Sequence, residues 1–259
     1  MGSLPNPIFK IFSLEGKKAI VTGASRGLGE SMAIGIAAAG ADVALVARST
    51  KDLEKTAKRI EELGKKALVC PCDITKTEQI KEVYEIIEKE FKFIDILVNN
   101  AGVDVPAPLV EMTQEIWDMT FSTNLNGVFN FTKLVGRGMM ERKRGKIINI
   151  SSLQGIVGFP QNAAYCATKG AIIAFTRAMA VEWGPYNIQV NAIAPGWFMT
   201  DMTRHIEGTP IGDYVISRTP LGRNAQPDEI IGTVLYLSSA ASDFLTGDVI
   251  SLDGGYVIN

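Results

Sequence analysis

Residues 22–40 read TGASRGLGESMAIGIAAAG, with Gly23, Gly27 and Gly29 crowded into a turn and an apolar run of small residues behind them. In front stands KAIVTG, residues 18–23, a short β-branched run of strand character. A strand that turns through glycines into a helix sets the first unit of the fold. Glycine there permits the tight turn, lets backbone N–H groups approach a pyrophosphate, and lets the helix pack closely on the sheet. Glycine punctuates loops generally, so the weight lies on the strand-to-helix position.

The same alternation continues outward. DVALVA (42–47), KALVC (66–70), DILVNN (95–100), KIINIS (146–151), IQVNAIAP (188–195) and DVISLDGG (248–255) are further apolar, β-branched runs separated by stretches of helical period. In KDLEKTAKRIEELGKK, residues 51–66, Leu53, Ala57, Ile60 and Leu63 make an apolar stripe. Strands this apolar are covered on both faces, and their alternation with helices demands right-handed crossovers. The expected fold is therefore α/β: a single-domain, doubly wound Rossmann fold with a seven-stranded parallel sheet and helices on both faces. It spans residues 1–259, with an N-terminal arm over 1–13 and a substrate loop at about 197–220. The basic cluster RKRGK, Arg142 to Lys146, reads as a solvated helix end whose cations complement the helix dipole.

Composition narrows the function. A formal charge of −2 gives no global attraction to nucleic acid or to an anionic membrane, so neither is an expected partner. Three cysteines form no even disulfide framework, which suits a reducing cytoplasm, and a single histidine leaves little for a metal site or a Ser-His-Asp triad. No metal is expected. The start, MGSLPNPIFK, has no apolar core of signal-peptide length, and no apolar run approaches spanning length.

Two local patterns carry chemistry. The second strand ends in Ala47 and Arg48, where an acid would bind the ribose hydroxyls of NAD(H). A carboxylate repels a 2′-phosphate and a guanidinium grips it, so Arg48, with Arg26 as a second cation, favours NADP(H) while leaving NAD(H) possible. The alternative is that Arg48 is a solvated loop residue. In NAAYCATKGA, residues 162–171, Tyr165 and Lys169 sit four apart, so a helix would stack them on one face.

With these pieces the chain resembles the short-chain dehydrogenase/reductase superfamily from Leu14 essentially to the C-terminus. The motifs fall in family order: TGASRGLG at 22–29, CDI at 72–74, NNAG at 99–102, then Asn124, Ser152, Tyr165 with Lys169, and PGWFMT at 195–200. The resemblance implies that Gly23, Ser25, Arg26, Gly27, Leu28 and Gly29 line the dinucleotide phosphates. It implies that Asp73 and Ile74 border the adenine, that Asn100, Ala101 and Gly102 border the ribose, and that Pro195, Gly196 and Thr200 hold the nicotinamide end beside Tyr165 and Lys169.

A carbonyl reduced by hydride needs a proton, and oxidation of the alcohol must remove one. Tyr165 is the candidate acid and base. A free phenol has a pKa near 10, so basic action near neutrality needs a shift of roughly three units, about 4 kcal/mol. A cation at about 4 Å in an effective dielectric near 20 supplies an energy of that order, and Lys169 is that cation. Ser152 would donate to the carbonyl oxygen as charge develops. By the resemblance, Asn124 binds a water that links Lys169 to solvent.

The substrate pocket is expected around Asp104, Gln154, Asn162 and the loop beginning at Trp197. The first three offer hydrogen bonds for hydroxyls, whereas Trp197, Phe198 and Met199 are apolar and could equally be the packed hinge of a lid. The chain resembles both bacterial sugar-acid dehydrogenases of gluconate and deoxygluconate type and 3-oxoacyl carrier-protein reductases. After the active-site helix it reads GPYN, with no cation to receive an acidic carrier. A small polyhydroxylated or keto substrate is the preferred reading; a carrier-protein reductase and a non-catalytic dinucleotide sensor are the alternatives. The resemblance also implies a homotetramer that pairs the helices near 113–140 and 161–184.

Overall fold

In the computed structural model, which describes residues 7–259, seven strands form one parallel sheet in the order β3-β2-β1-β4-β5-β6-β7. They are β1 (Lys18–Thr22), β2 (Asp42–Ala47), β3 (Ala67–Pro71), β4 (Ile96–Asn99), β5 (Gly145–Ile150), β6 (Ile188–Pro195) and β7 (Val249–Leu252). Each coincides with an apolar run of the sequence. Helices connect them: α1 (Pro7–Lys10) leads in, followed by α2 (Gly27–Ala38), α3 (Thr50–Glu61), α4 (Thr77–Phe91), α5 (Gln114–Phe121), α6 (Gly127–Arg142), α7 (Ala163–Trp183), α8 (Pro210–Arg218) and α9 (Ile231–Ser238). Of the expected N-terminal arm, residues 1–6 lie outside the described residues.

The period-two pleat divides the core in two. Ala19 and Val21 of β1, and Val43 and Leu45 of β2, face one side with Met32, Ile36, Leu53 and Val234. Their neighbours Ile20, Ala44 and Val46 face the other with Ile80, Ile87, Phe131 and Trp183. Both sheet faces are thus sealed, which is why these strands read as continuous apolar runs. Helix α2 is small and apolar nearly all round because it lies between the sheet and α9: a Cβ on Gly35 would come within 2.6 Å of Ile231 Cγ2.

Three local expectations change. Helix α3 stops at Glu61, and Leu63 is 45% exposed rather than part of the buried stripe. Gly64, at φ +75°, closes the helix in a conformation that glycine adopts without strain. The basic cluster is not simply solvated. Arg142 donates to the Ile94 carbonyl, and the guanidinium groups of Arg142 and Arg144 lie 5.5 and 5.6 Å from the Phe93 ring, while Lys146 pairs with Asp243 at 2.8 Å. These cations clasp the approaches to β4 and β7. Finally, the long helix expected near 113–140 is interrupted by a π-helical turn, Ser122–Asn126, between α5 and α6.

Chain direction positions the site. From β1 the chain moves outward through β2 and β3, then crosses back to β4 on the other side of β1. The crossovers diverge at the C-terminal ends of β1 and β4, which opens a crevice there. Residues expected to act follow the strand ends: Gly23 after β1, Arg48 after β2, Asn100 after β4, Ser152 after β5 and Gly196 after β6.

Candidate active site

The glycine turn is built for a close approach. Gly23 and Gly27 have φ of +67° and +58°. A Cβ on Gly29 would stand 2.1 Å from the Gly23 carbonyl oxygen, and one on Gly23 would stand 2.7 Å from Asn100 Nδ2. Asn100 fastens the turn by donating to the Thr22 carbonyl at 2.9 Å, while Thr22 Oγ1 accepts from the N–H groups of Asn100 and Ala101 at 2.9 and 3.1 Å. Thr22 is a residue the sequence reading passed over; its place just before the glycines was the available signal. Arg26 is the N-cap of α2 yet makes no side-chain cap, so the helix presents its first N–H groups uncapped by that side chain. This cradle fits the pyrophosphate of a dinucleotide. Ser25, Leu28 and Gly27 are partly buried along it, and Thr200 approaches from the loop after β6, its Cγ2 3.3 Å from where a Gly27 Cβ would be.

Arg48 is exposed at the end of β2, close enough to Asp73 for its charge to be felt there. Burial alone would raise the Asp73 carboxyl. Hydrogen bonds from the Thr75 N–H and hydroxyl, at 3.0 and 2.8 Å, and the Arg48 guanidinium hold it below its ordinary value. Ile74, 7% exposed, packs over Gly127 at the start of α6. Pro195 ends β6 against β7, and Gly196 follows it, donating its N–H to the Leu252 carbonyl at 2.9 Å; a Gly196 Cβ would meet Asp253 Cα at 2.6 Å.

Helix α7 carries Tyr165 and Lys169 on one face, as their spacing requires. Lys169 is 4% exposed; its Nζ donates to the Ile150 carbonyl at 2.8 Å and lies 5.5 Å from the Tyr165 ring centre. Burial pushes this ammonium down to about 8, against the opposing pull of the Asp104 carboxylate. Gly102 lies beside it: a Cβ there would touch Nζ at 3.6 Å and crowd Asn124 Oδ1 at 3.3 Å. Ser152, 8% exposed, accepts from the Gln154 N–H at 3.1 Å, and its hydroxyl lies close enough to the Tyr165 phenol to favour its ionised form. Ser151 is turned away, donating to the Lys169 carbonyl at 2.8 Å.

One electrostatic expectation is overturned. Tyr165 is not lowered by Lys169 in the protein's own field: burial raises the phenol first and the Asp104 carboxylate raises it further, with the neighbouring Ser152 hydroxyl working the other way. A buried phenolate is costly, and a lysine whose own charge is weakened by burial compensates little.

Asn124 sits in the π-helical turn, a distortion that recurs at functional sites. Its amide accepts from the Val103 N–H at 2.8 Å, donates to the Val103 carbonyl at 2.9 Å, and reaches Thr168 Oγ1 at 3.3 Å. Asn162 donates to Asp104 Oδ2 at 3.0 Å and to Gln154 Oε1 at 2.9 Å. The fold thus brings Asp104, Gln154 and Asn162 into one polar cluster beside the tyrosine. Trp197 packs on Phe159 with ring centres 5.3 Å apart, and the Phe159 carbonyl in turn accepts from the Asn162 N–H at 3.4 Å. Phe198, 3% exposed, bridges to Ala225 and belongs to the core, which favours the packed-hinge reading for that residue. Asp201, unremarked in the sequence, pairs with Arg26 at 3.6 Å.

Comparison with known proteins places this geometry. The family model described as "Enoyl-(Acyl carrier protein) reductase" matches residues 23–257. The chain is 42% identical over 250 residues to the gluconate 5-dehydrogenase of Gluconobacter oxydans, covering 96% of this chain and 98% of that protein. It is 40% identical over 245 residues to the 3-oxoacyl-[acyl-carrier-protein] reductase FabG of Thermotoga maritima, covering 95% and 99%. Among solved structures, a gluconate 5-dehydrogenase from Burkholderia cenocepacia J2315, in complex with NADP and tartrate, superposes with a TM-score of 0.93 at 38% identity, covering 97% of this chain and 99% of that one.

Proposed function

The chain belongs to the short-chain dehydrogenase/reductase superfamily, and from that premise we propose that it is an NADP(H)-dependent oxidoreductase interconverting a secondary alcohol and a ketone on a small polyhydroxylated or keto substrate such as a sugar acid. It is an NAD(P)-dependent alcohol dehydrogenase or carbonyl reductase. The observation that carries the finer reading is the polar cluster of Asp104, Asn162 and Gln154 set beside Tyr165, Ser152 and Lys169. A wall of hydrogen-bonding groups suits hydroxyls and ill suits an acyl chain. The gluconate relatives support it, and the NADP-bound Burkholderia structure supports the cofactor reading of Arg48 and Arg26.

In this reading the bound nicotinamide supplies or accepts the hydride. The chain's residues do the rest. Tyr165 gives the proton to the nascent alkoxide in reduction and removes it in oxidation. Ser152 donates to the same oxygen, Lys169 holds charge beneath the phenol, and Asn124 holds a water that connects Lys169 to solvent. A serine donor beside the tyrosine suits a polarised carbonyl better than the carbon–carbon double bond named by the family model. Gly23, Ser25, Gly27, Leu28 and Gly29 cradle the pyrophosphate; Asp73 and Ile74 border the adenine; Asn100, Ala101 and Gly102 border the ribose; Pro195, Gly196 and Thr200 hold the nicotinamide; Trp197 closes the pocket.

A second reading, a 3-oxoacyl carrier-protein reductase, draws on the 40% identity to the Thermotoga protein. Steady-state rates with keto acids, sugar acids, simple ketones and acetoacetyl thioesters, each with NADPH and NADH, separate the two. Preference for thioesters would replace the first reading by the second. The three cysteines are free thiols, in keeping with a cytoplasmic enzyme. A homotetramer completes the proposal: Phe129 on α6 and Val181 on α7 are 48% and 82% exposed, and β7 ends the sheet. A monodisperse monomer in light scattering at micromolar concentration would remove it.

A further inference from the structure

Asn162 occupies the N-cap of α7, where its amide would ordinarily bond the helix's first N–H groups, yet it makes no such cap. Both of its side-chain donor contacts go outward, to Asp104 Oδ2 and Gln154 Oε1. Asp104 is held from its other side as well. The residue before it, Val103, has both its N–H and its carbonyl clamped by the Asn124 amide. The carboxylate is therefore fixed between the element bearing Asn124 and the helix bearing Tyr165. One oxygen is satisfied. The other, Oδ1, is buried and has no hydrogen-bond partner.

A rigid, buried acceptor left unpaired is costly unless a donor arrives. Lys169, His205 and Tyr165 all lie within reach of the Asp104 charge, but none of them bonds it. Burial pushes the carboxyl above its ordinary range even against Asn162, Lys169 and His205, as expected for a group with one oxygen left without a donor. The nearness to Tyr165 also fixes which part of a substrate would meet it. Whatever bonds Asp104 is attached close to the carbon that exchanges hydride.

We propose that Asp104 is a specificity-determining residue that accepts a hydrogen bond from a hydroxyl on the carbon next to the reacting one. The substrate is then a 1,2-diol in one direction and an α-hydroxy ketone in the other. This rests on the carbonyl-reductase reading above and narrows its substrate. A carboxylate on that neighbouring carbon is repelled, so the acid group of a sugar acid lies farther along the chain. A 3-oxoacyl thioester has methylene groups on both sides of its ketone and leaves Asp104 unpaired. Sites built to bond a substrate hydroxyl discriminate strongly against analogues that lack it, because the site's own polar group is stranded.

The test uses 3-hydroxy-2-butanone and 2-butanone as a matched pair, with NADPH and with NADH. A hydroxyl alters the ketone's own reactivity, so the read-out is the change in the ratio of kcat/KM values on substitution. In Asp104→Ala the ratio of hydroxylated to plain ketone should fall by about thirtyfold or more. In Asn162→Ala, which leaves Asp104 in place but unheld, it should fall by a smaller factor. NADPH dissociation constants and thermal midpoints run alongside, and a purely structural defect lowers both ketones together. Pyruvate, with its carboxylate beside the ketone, should gain relative to 2-butanone in Asp104→Asn. If both ketones are reduced and neither variant moves the ratio, the inference fails while the reductase reading stands. If wild type reduces neither ketone with either cofactor but turns over a keto acid that has no hydroxyl beside its ketone, the inference fails and the reductase reading stands; if it turns over nothing in the wider substrate panel either, both are overturned.

Discussion

Arg26 Nη1, in the glycine turn, lies 3.6 Å from Asp201 Oδ2, in the loop that follows β6. Both side chains are largely exposed, so the pair is weak, yet it joins the glycine turn proposed to cradle the phosphates to the loop proposed to cover the substrate. Arg26 is also one of two cations proposed for the 2′-phosphate, and one guanidinium cannot serve both anions fully. Asp201→Ala should therefore tighten NADPH binding by about twofold to fivefold and leave NADH unchanged. Fluorescence titration with both cofactors measures this, and an equal change for the two would exclude competition at Arg26.

Arg48 should weigh more, because a charge-assisted contact to phosphate is worth roughly 1.5 to 3 kcal/mol. Arg48→Ala is expected to lower the NADPH preference in kcat/KM by about tenfold to a hundredfold. A wild-type preference for NADH, or an equal loss for both cofactors, returns Arg48 to the status of a solvated loop residue.

Removing only the phenolic hydroxyl should spare the fold. Tyr165→Phe is expected to keep the thermal midpoint and NADPH affinity while lowering kcat by about 10² to 10⁴-fold. Retention of more than half the wild-type turnover, with chemistry rate-limiting, would refute the proton-transfer role.

The buried ammonium makes stability depend on pH. Lys169 is lowered from 10.5 to about 8 in the folded chain, so between these values the unfolded state binds the extra proton. Stability therefore rises with pH across that window, by an amount of the order of 3 kcal/mol when complete. Lys146, also lowered by burial, contributes with the same sign. Above pH 9 the buried thiols oppose the rise, since burial pushes Cys70 up to about 12 and Cys72 up to about 11 from 9.0. Urea titrations of wild type and Lys169→Met from pH 7 to 9 should show a rise in wild type that the variant largely loses. Parallel curves would mean that burial does not lower Lys169 in the folded chain.

The glycine turn leaves no space for a methyl group. A Cβ on Gly29 would stand 2.1 Å from a backbone oxygen that cannot swing aside. Gly29→Ala should cost about 1 to 3 kcal/mol in urea denaturation and weaken both cofactors alike, since the pyrophosphate cradle is common to them. Full affinity for either would place the dinucleotide elsewhere.

The sequence determined the frame. Seven apolar runs became seven parallel strands because each is buried on both faces, and a residue pattern that local sealing imposes is readable without knowing the neighbours. The glycine turn was equally legible, since positive φ and close backbone approach exclude other residues. So was the Tyr165–Lys169 face, because four residues of helix fix it. Tertiary structure decided the rest. Whether Lys169 lowers Tyr165 depends on burial and on Asp104, sixty-one positions away from Tyr165 in the chain. Leu63 escaped the core because one glycine ended its helix, and Arg142 found a carbonyl on another segment rather than water. The Asn162 amide, which sequence rules assign to capping, turned instead to a carboxylate delivered by a different strand's loop. Desolvation and long-range hydrogen bonding are properties of what the chain brings together, and no local pattern records them.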